Sequence, residues 1–207
     1  PMLRRAHYVS RPPIAGRNLM NKFAIAQKRE ILEHAAAVGA TASGITYVDD
    51  ALKGLSRASG EGGLRSFGVE FASATTGCTI QAESVTVELK YLLRAHHDPR
   101  TRLVLEQPGR VSVRGKSPKG RNTSFLYTPD FLALLDNGLV GVECKSATEL
   151  ERLVRSRPGD YIFDKGRYRF LPGEACFERF GARFEVFCDA EVSKTHLGNL
   201  MLLCPLQ

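Results

Sequence analysis

Three residues in this chain could do chemistry together: Asp130, Glu143 and Lys145. Pro129-Asp130 opens one strand-like run, Glu143-Cys144-Lys145 closes the next, and Asn137-Gly138 between them is a strong hairpin signal. With Asn137 and Gly138 as the central residues of a type I′ turn, Asp136 faces Leu139 and the register carries Asp130 opposite Lys145. Side chains alternate along a strand, so Asp130, Glu143 and Lys145 project from one face at one end of the hairpin. The opposite face collects Phe131, Ala133, Leu135, Val140, Val142 and Cys144. Leu132, Leu134 and Leu139 make the chemical face apolar nearer the turn, so both strands read as central and covered on both sides. Two carboxylates at the rim of a core need compensation, and a divalent cation is the usual one. The chemistry this suggests is metal-assisted hydrolysis.

A third carboxylate has a helical address. The run from Glu83 to His97 lacks Gly and Pro, and Val85, Leu89, Leu92 and Ala95 recur along it as a core-facing stripe. Glu88 lies inside that stripe, where it either joins the metal site or pairs with a basic residue at the helix edge. Glu83, at the expected helix start, suits the helix dipole instead. His96 and His97 precede Asp98-Pro99 at the helix end and read as structural.

These motifs resemble the PD-(D/E)xK superfamily of metal-dependent DNA nucleases. The stretch from Ser73 to Ser84, Glu88, Leu92-Leu93, Asp98-Pro99, Glu106-Gln107-Pro108, the hairpin and Phe180-Gly181 with Arg183 to Phe187 narrow the likeness further. Together they look like the nuclease domain of TnsA, the endonuclease subunit of heteromeric cut-and-paste transposases, over about residues 65–203. The resemblance implies a restriction-endonuclease-like α/β fold, with a mixed central sheet flanked by helices. It implies Glu88, Asp130, Glu143 and Lys145 as catalytic residues, and Glu88, Asp130, Glu143 and the Cys144 carbonyl as ligands of Mg²⁺, for which Mn²⁺ substitutes. It further implies double-stranded DNA as substrate, cut at the 5′ ends of a transposable element, and a DDE-type transposase and an ATPase regulator as partners. The best-known members carry a further C-terminal domain that contacts the regulator, a role this chain leaves open. Two other classes fit the same residues: a stand-alone restriction or repair nuclease, and a catalytically idle DNA-binding scaffold.

Composition agrees with a polyanionic partner, since the 207 residues carry a formal net charge of +7. Arg110, Arg114, Lys116, Lys119 and Arg121 crowd a Gly/Pro/Ser-containing segment just before the first catalytic strand, read as a phosphate-gripping loop or as a merely solubilising one. Gly109 to Ser117 fails as a P-loop, because its spacing is one residue too long and Pro118 follows. The five cysteines are odd in number and widely spaced, with no Cys-x-x-Cys and no histidine pair at zinc spacing, so neither a disulfide framework nor a zinc site is indicated and a reducing, cytoplasmic setting is expected. The resemblance makes that cytoplasm bacterial. No apolar run approaches membrane-spanning length.

Residues 1–63 read as a basic, partly helical N-terminal extension and residues 64–207 as the nuclease domain. In the extension, Arg11-Pro12-Pro13 suggests an extended arm, Asn18 to Val38 a helix stopped by Gly39, and Asp49-Asp50 the start of a shorter helix before a linker at Ser59 to Gly63. This extension is either a DNA-contacting or docking module or padding on the sheet. Beyond the hairpin, helices are expected at Ala147 to Arg157, Glu174 to Phe180 and Lys194 to Leu203, and a strand at Arg183 to Cys188.

Overall fold

The apolar hairpin is the centre of the molecule. The structure is a computed structural model that describes residues 25–53, 69–73, 78–82, 87–116 and 120–203. Its elements run α1 (Ile25–Ala37), α2 (Ala42–Lys53), β1 (Val69–Ser73), β2 (Cys78–Ala82), α3 (Glu88–His97), β3 (Thr101–Glu106), β4 (Val111–Lys116), β5 (Asn122–Tyr127) and β6 (Phe131–Leu135). They continue with β7 (Gly138–Lys145), α4 (Ala147–Ser156), β8 (Tyr161–Asp164), β9 (Arg167–Phe170), α5 (Leu171–Glu178), β10 (Ala182–Cys188) and α6 (Lys194–Leu203). A four-stranded mixed sheet in the order β10-β7-β6-β3 forms the core, with β10 parallel to β7 and the other pairs antiparallel. This is the mixed α/β fold with flanking helices that the sequence pattern implies. Among the described residues no helix is long and apolar enough to cross a membrane.

Both faces of the sheet are covered, as continuous apolar strands require. Phe131, Ala133, Val140, Val142 and Cys144 meet Tyr91, Leu92 and Ala95 of α3 and Leu200 of α6. Leu132, Leu134 and Leu139 face the other way, toward Leu150 of α4, Phe177 of α5 and Val111 and Val113 of β4. Gly141 sits under the Phe177 ring, where an added Cβ would lie 2.4 Å from a ring carbon. The parity of the strands therefore sends Glu143 and Lys145 to the α4 and α5 side.

The hairpin register differs from the type I′ expectation. Leu135 pairs with Gly138 and Phe131 with Val142, so Asp136 and Asn137 form the tip. Among the described residues only Gln107 and Lys165 are non-glycines with positive φ, whereas Gly138 takes φ +140°. A type I′ turn needs positive φ at both central positions, and Asn137 does not supply it. The strands slide by two residues and bring Asp130 opposite Glu143 rather than Lys145. An even slip keeps every side chain on its face.

Elsewhere the expected helix from Asn18 is described from Ile25, and Gly39 ends it at φ +97°. Asp49-Asp50 do not open a helix: α2 starts at Ala42, and Asp49 lies near its C-terminal end, paired with Lys28 and Lys53. Ala35, Val48, Ala51 and Leu52 of these two helices are buried in the same cluster as the sheet, and Tyr47 stacks on Phe180 at 5.0 Å. The arm at Arg11 to Pro13 and the linker at Ser59 to Gly63 lie outside the described residues. So do Glu83 and Val85, and α3 begins with Glu88 in its first turn. The helix at Ala147 follows the expectation, capped by the Ser146 hydroxyl accepting from the Glu149 N–H at 3.2 Å. The basic segment around Arg114 is not a loop but the antiparallel β4–β5 hairpin. β8–β9 is a further hairpin that the sequence pattern did not reveal.

Candidate active site

Asp130 directly precedes β6, and the Gln107 N–H donates to its backbone carbonyl at 2.8 Å, which fixes the entry into the strand. Across the hairpin, the Cys144 N–H donates to Asp130 Oδ2 at 2.7 Å. Among the described residues none donates to Oδ1. Glu143, 5% exposed, projects from the same end of the sheet. The Tyr127 hydroxyl donates to Glu143 Oε2, and Lys145 Nζ lies 2.7 Å from Oε1. Lys145 also stands 3.8 Å from Glu149 Oε1. The structure thus brings Asp130, Glu143 and Lys145 together through the two strands, as their spacing implies.

The electrostatics of this corner are dominated by clustered carboxylates that Lys145 offsets only in part. Burial, then the charge of Glu143, and more weakly that of Glu88, push the Asp130 carboxyl up to about 8, against a smaller lowering by the Cys144 N–H and by Lys145. Burial alone would lower the Lys145 pKa, but the adjoining Glu143 carboxylate reverses this and holds it above the ordinary lysine value. Burial and the Glu143 charge also raise the Tyr127 and Tyr161 hydroxyls. The Cys144 thiol is raised by burial and by Asp130, Glu88 and Glu143. Its side chain belongs to the α3 face of the sheet, so only its backbone adjoins Asp130.

Glu88 is partly buried in the first turn of α3, not in the middle of a core stripe. It approaches from the helix layer on the other side of the sheet, and its charge is felt at both Asp130 and Cys144. Among the described residues no three His, Cys, Asp or Glu side chains are gathered closely enough to cage a cation. The donor set nevertheless fits a hard divalent ion, because it is made of carboxylate oxygens and a backbone carbonyl. The elevated Asp130 proton affinity points the same way: a cation would relieve the repulsion that now holds a proton there. Both Glu143 oxygens already have partners, so a cation there competes with Tyr127 and Lys145.

The basic residues spread outward from this corner along the β4–β5 hairpin. Tyr127, which reaches Glu143, pairs with Val111 at the hairpin base, and Arg110 is the next residue. Arg110, Arg114, Lys116 and Arg121 are exposed, and Lys119 lies outside the described residues. Arg114 and Lys116 line a cavity of about 630 Å³ with Asn122, Ser124, Asp160 and Pro172, which includes none of the three hairpin residues. Sequence reasoning missed Tyr127, Tyr161 and Glu149. Tyr127 stands just before Thr128-Pro129-Asp130, which is the one local hint available; Tyr161 has none. His97 is structural as expected, its Nε2 hydrogen-bonded at 3.0 Å to the Leu200 carbonyl.

No protein-family model matches the chain, and no curated protein matches it. The reading of the site stands on its residues.

Proposed function

We propose that this chain is a metal-dependent DNA endonuclease, working as the strand-cutting subunit of a heteromeric transposase at the 5′ ends of a transposable element. The observation that carries the nuclease reading is Asp130 facing Glu143 at the buried rim of the sheet, with Lys145 beside them and a carboxyl held up to about 8 by its neighbours. The transposase partnership rests on the sequence resemblance alone.

Asp130, Glu143, Glu88 and the Cys144 carbonyl would hold Mg²⁺ or Mn²⁺. A bound ion would supply polarisation of the phosphate and a lowered pKa of its water. Asp130 must lose its proton first, so cation affinity rises with pH up to about 8. Lys145 stays an ammonium at neutral pH and cannot serve as the base. It stabilises the charge developing on the phosphate and orients the attacking water. Tyr127 and Lys145 occupy the two Glu143 oxygens, and a cation would displace one of them to gain its ligand. Arg110, Arg114, Lys116 and Arg121 supply phosphate contacts that carry affinity without sequence information. Target choice then falls to the transposase, with an ATPase regulator as a further partner.

One observation favours a second reading. Glu143 is already satisfied on both oxygens, and among the described residues no caged cluster stands ready, as in an idle scaffold on a nuclease fold. Calorimetric titration with Mn²⁺ at pH 8 separates the two. Wild type and Lys145→Ala are expected to bind, and Asp130→Ala to lose binding, since an ammonium is no metal ligand. Absence of binding in the wild type supports the scaffold.

A further inference from the structure

One face of the β8–β9 hairpin is a ladder of four aromatic rings that begins beside the carboxylates and ends in solvent. Tyr161 pairs with Phe170 and Phe163 with Tyr168, and alternation puts all four on one face. The inner pair is buried and stacked at 4.6 Å, with Tyr127 5.3 Å from Phe170. The Tyr161 hydroxyl feels the charges of Glu143 and Lys145. The outer pair is 4.8 Å apart, and Phe163 is 57% exposed.

The hairpin is held firmly at its base and is basic at its tip. Arg157 grips the buried Asp160 carboxylate at 2.6 Å, Asp160 takes the Lys116 N–H at 2.8 Å, and Leu171 N–H donates to the Asp160 carbonyl at 2.8 Å. The connection is a two-residue turn with both φ values positive, Lys165 at +50° and Gly166 at +79°. Asn, Asp or Gly are the residues that suit this turn, and a lysine there is strained. That strain puts an exposed cation at the tip, next to exposed Arg167. Among the described residues neither forms an ion pair, whereas Arg169, two residues further along the strand from Arg167, is engaged by Asp164 and Glu174. Phe163 lies two residues, about 7 Å, beyond Tyr161, a span of about two stacked nucleotides.

We propose that this hairpin grips the DNA strand beside the cut, with the Phe163 and Tyr168 rings stacking on an unpaired base and Lys165 and Arg167 contacting the flanking phosphates. This rests on the nuclease reading of the carboxylate site. An aromatic face offers every base a stacking partner, which suits a site that takes its sequence choice from elsewhere. Exposed rings next to a basic turn, with Lys165 and Arg167 together at the tip, match a nucleic acid better than an apolar protein surface.

The chain contains no tryptophan, so Phe163→Trp places a single indole at this tip. The test titrates the full chain, metal-free, with forked DNA and with blunt duplex, while the anisotropy of the labelled DNA reports binding. Quenching of the indole by forked DNA but not by duplex is expected. Phe163→Ala is expected to lose about tenfold in affinity for the fork and little for the duplex. Lys165→Asn relieves the turn while removing the charge, so a weaker and less salt-dependent complex in a variant at least as stable as wild type is expected. DNA that binds with no indole quenching and no loss in Phe163→Ala overturns the hairpin's role and leaves the nuclease reading standing. Loss of association with a protein partner in Phe163→Ala, with DNA binding intact, overturns it in favour of a protein-docking tip. A wild-type chain that binds neither DNA overturns both.

Discussion

Neutralising Asp130 as Asp130→Asn is expected to stabilise the metal-free protein, and to do so only at higher pH. The Asp130 carboxyl goes from an ordinary value near 3.8 to about 8 on folding. The folded protein therefore holds this proton more tightly than the unfolded chain, and folding takes up a proton between about pH 4 and 8. Stability contributed by the group is full below pH 4 and is lost as pH rises through that window. At about 1.4 kcal/mol per pH unit the ceiling is about 6 kcal/mol. Hydration of the partly open corner and movement of Glu143 reduce this, so about 2 kcal/mol at pH 8 is the expected gain, or roughly 4–8 °C in Tm for a chain of this size. The amide oxygen of the variant still accepts from the Cys144 N–H, so no backbone bond is sacrificed. Thermal unfolding followed by circular dichroism in a chelator at pH 4.5, 6 and 8 reads the effect. The two proteins should coincide at pH 4.5 and diverge steadily above it, and excess Mn²⁺ at pH 8 should raise the wild type alone. A variant less stable than wild type at pH 8, or a constant offset at every pH, would refute the reasoning.

Removing the Glu88 charge as Glu88→Gln should lower the Asp130 pKa below about 8, since that charge contributes to its elevation; carboxyl-carbon NMR titration reads it directly, and an unchanged value would place Glu88 outside the site. Tyr127→Phe should cost about 1–2 kcal/mol of metal-free stability by stripping a donor from a buried carboxylate. The same change should tighten Mn²⁺ binding because Glu143 Oε2 is released; weaker binding would mean that Tyr127 holds Glu143 in its ligating position. Gly141→Ala should destabilise by about 3 kcal/mol or prevent folding, because its Cβ meets the fully buried Phe177 ring at 2.4 Å, and denaturant unfolding that shows no loss would contradict the packing described.

The hairpin, its two buried faces and the meeting of Asp130, Glu143 and Lys145 were legible because alternation survives an error in the turn. Asn137-Gly138 was assigned to the wrong turn, yet the resulting slip was even and left Asp130 on the face of Glu143. An odd slip would have buried the chemistry on the α3 side. Helices with a clear boundary, such as α1 stopped at Gly39 and α4 started by Ser146, were equally readable. Asp49-Asp50 misled because acidic residues suit a helix start, whereas here they pair with Lys28 and Lys53 across and along the helices. Gly and Ser between Arg110 and Arg121 hid two strands, although Val111 and Val113 alternate with exposed Ser112 and Arg114. β8–β9 was invisible because its strands are four residues each and its turn uses Lys165 where Asn or Gly is usual. Tyr127 and Tyr161 come to Glu143 only through tertiary packing, and no local pattern encodes that.

The most direct test of the proposed hydrolytic site is Mn²⁺-dependent nicking of supercoiled DNA by the full chain at high concentration, with Asp130→Ala run beside it. Slow nicking is expected from the wild type, abolished by chelation, increasing with pH up to about 8 and absent in Asp130→Ala. Nicking by Asp130→Ala at the wild-type rate, or metal-independent nicking by both, would contradict the assignment of Asp130, Glu143 and Lys145 as the reacting centre.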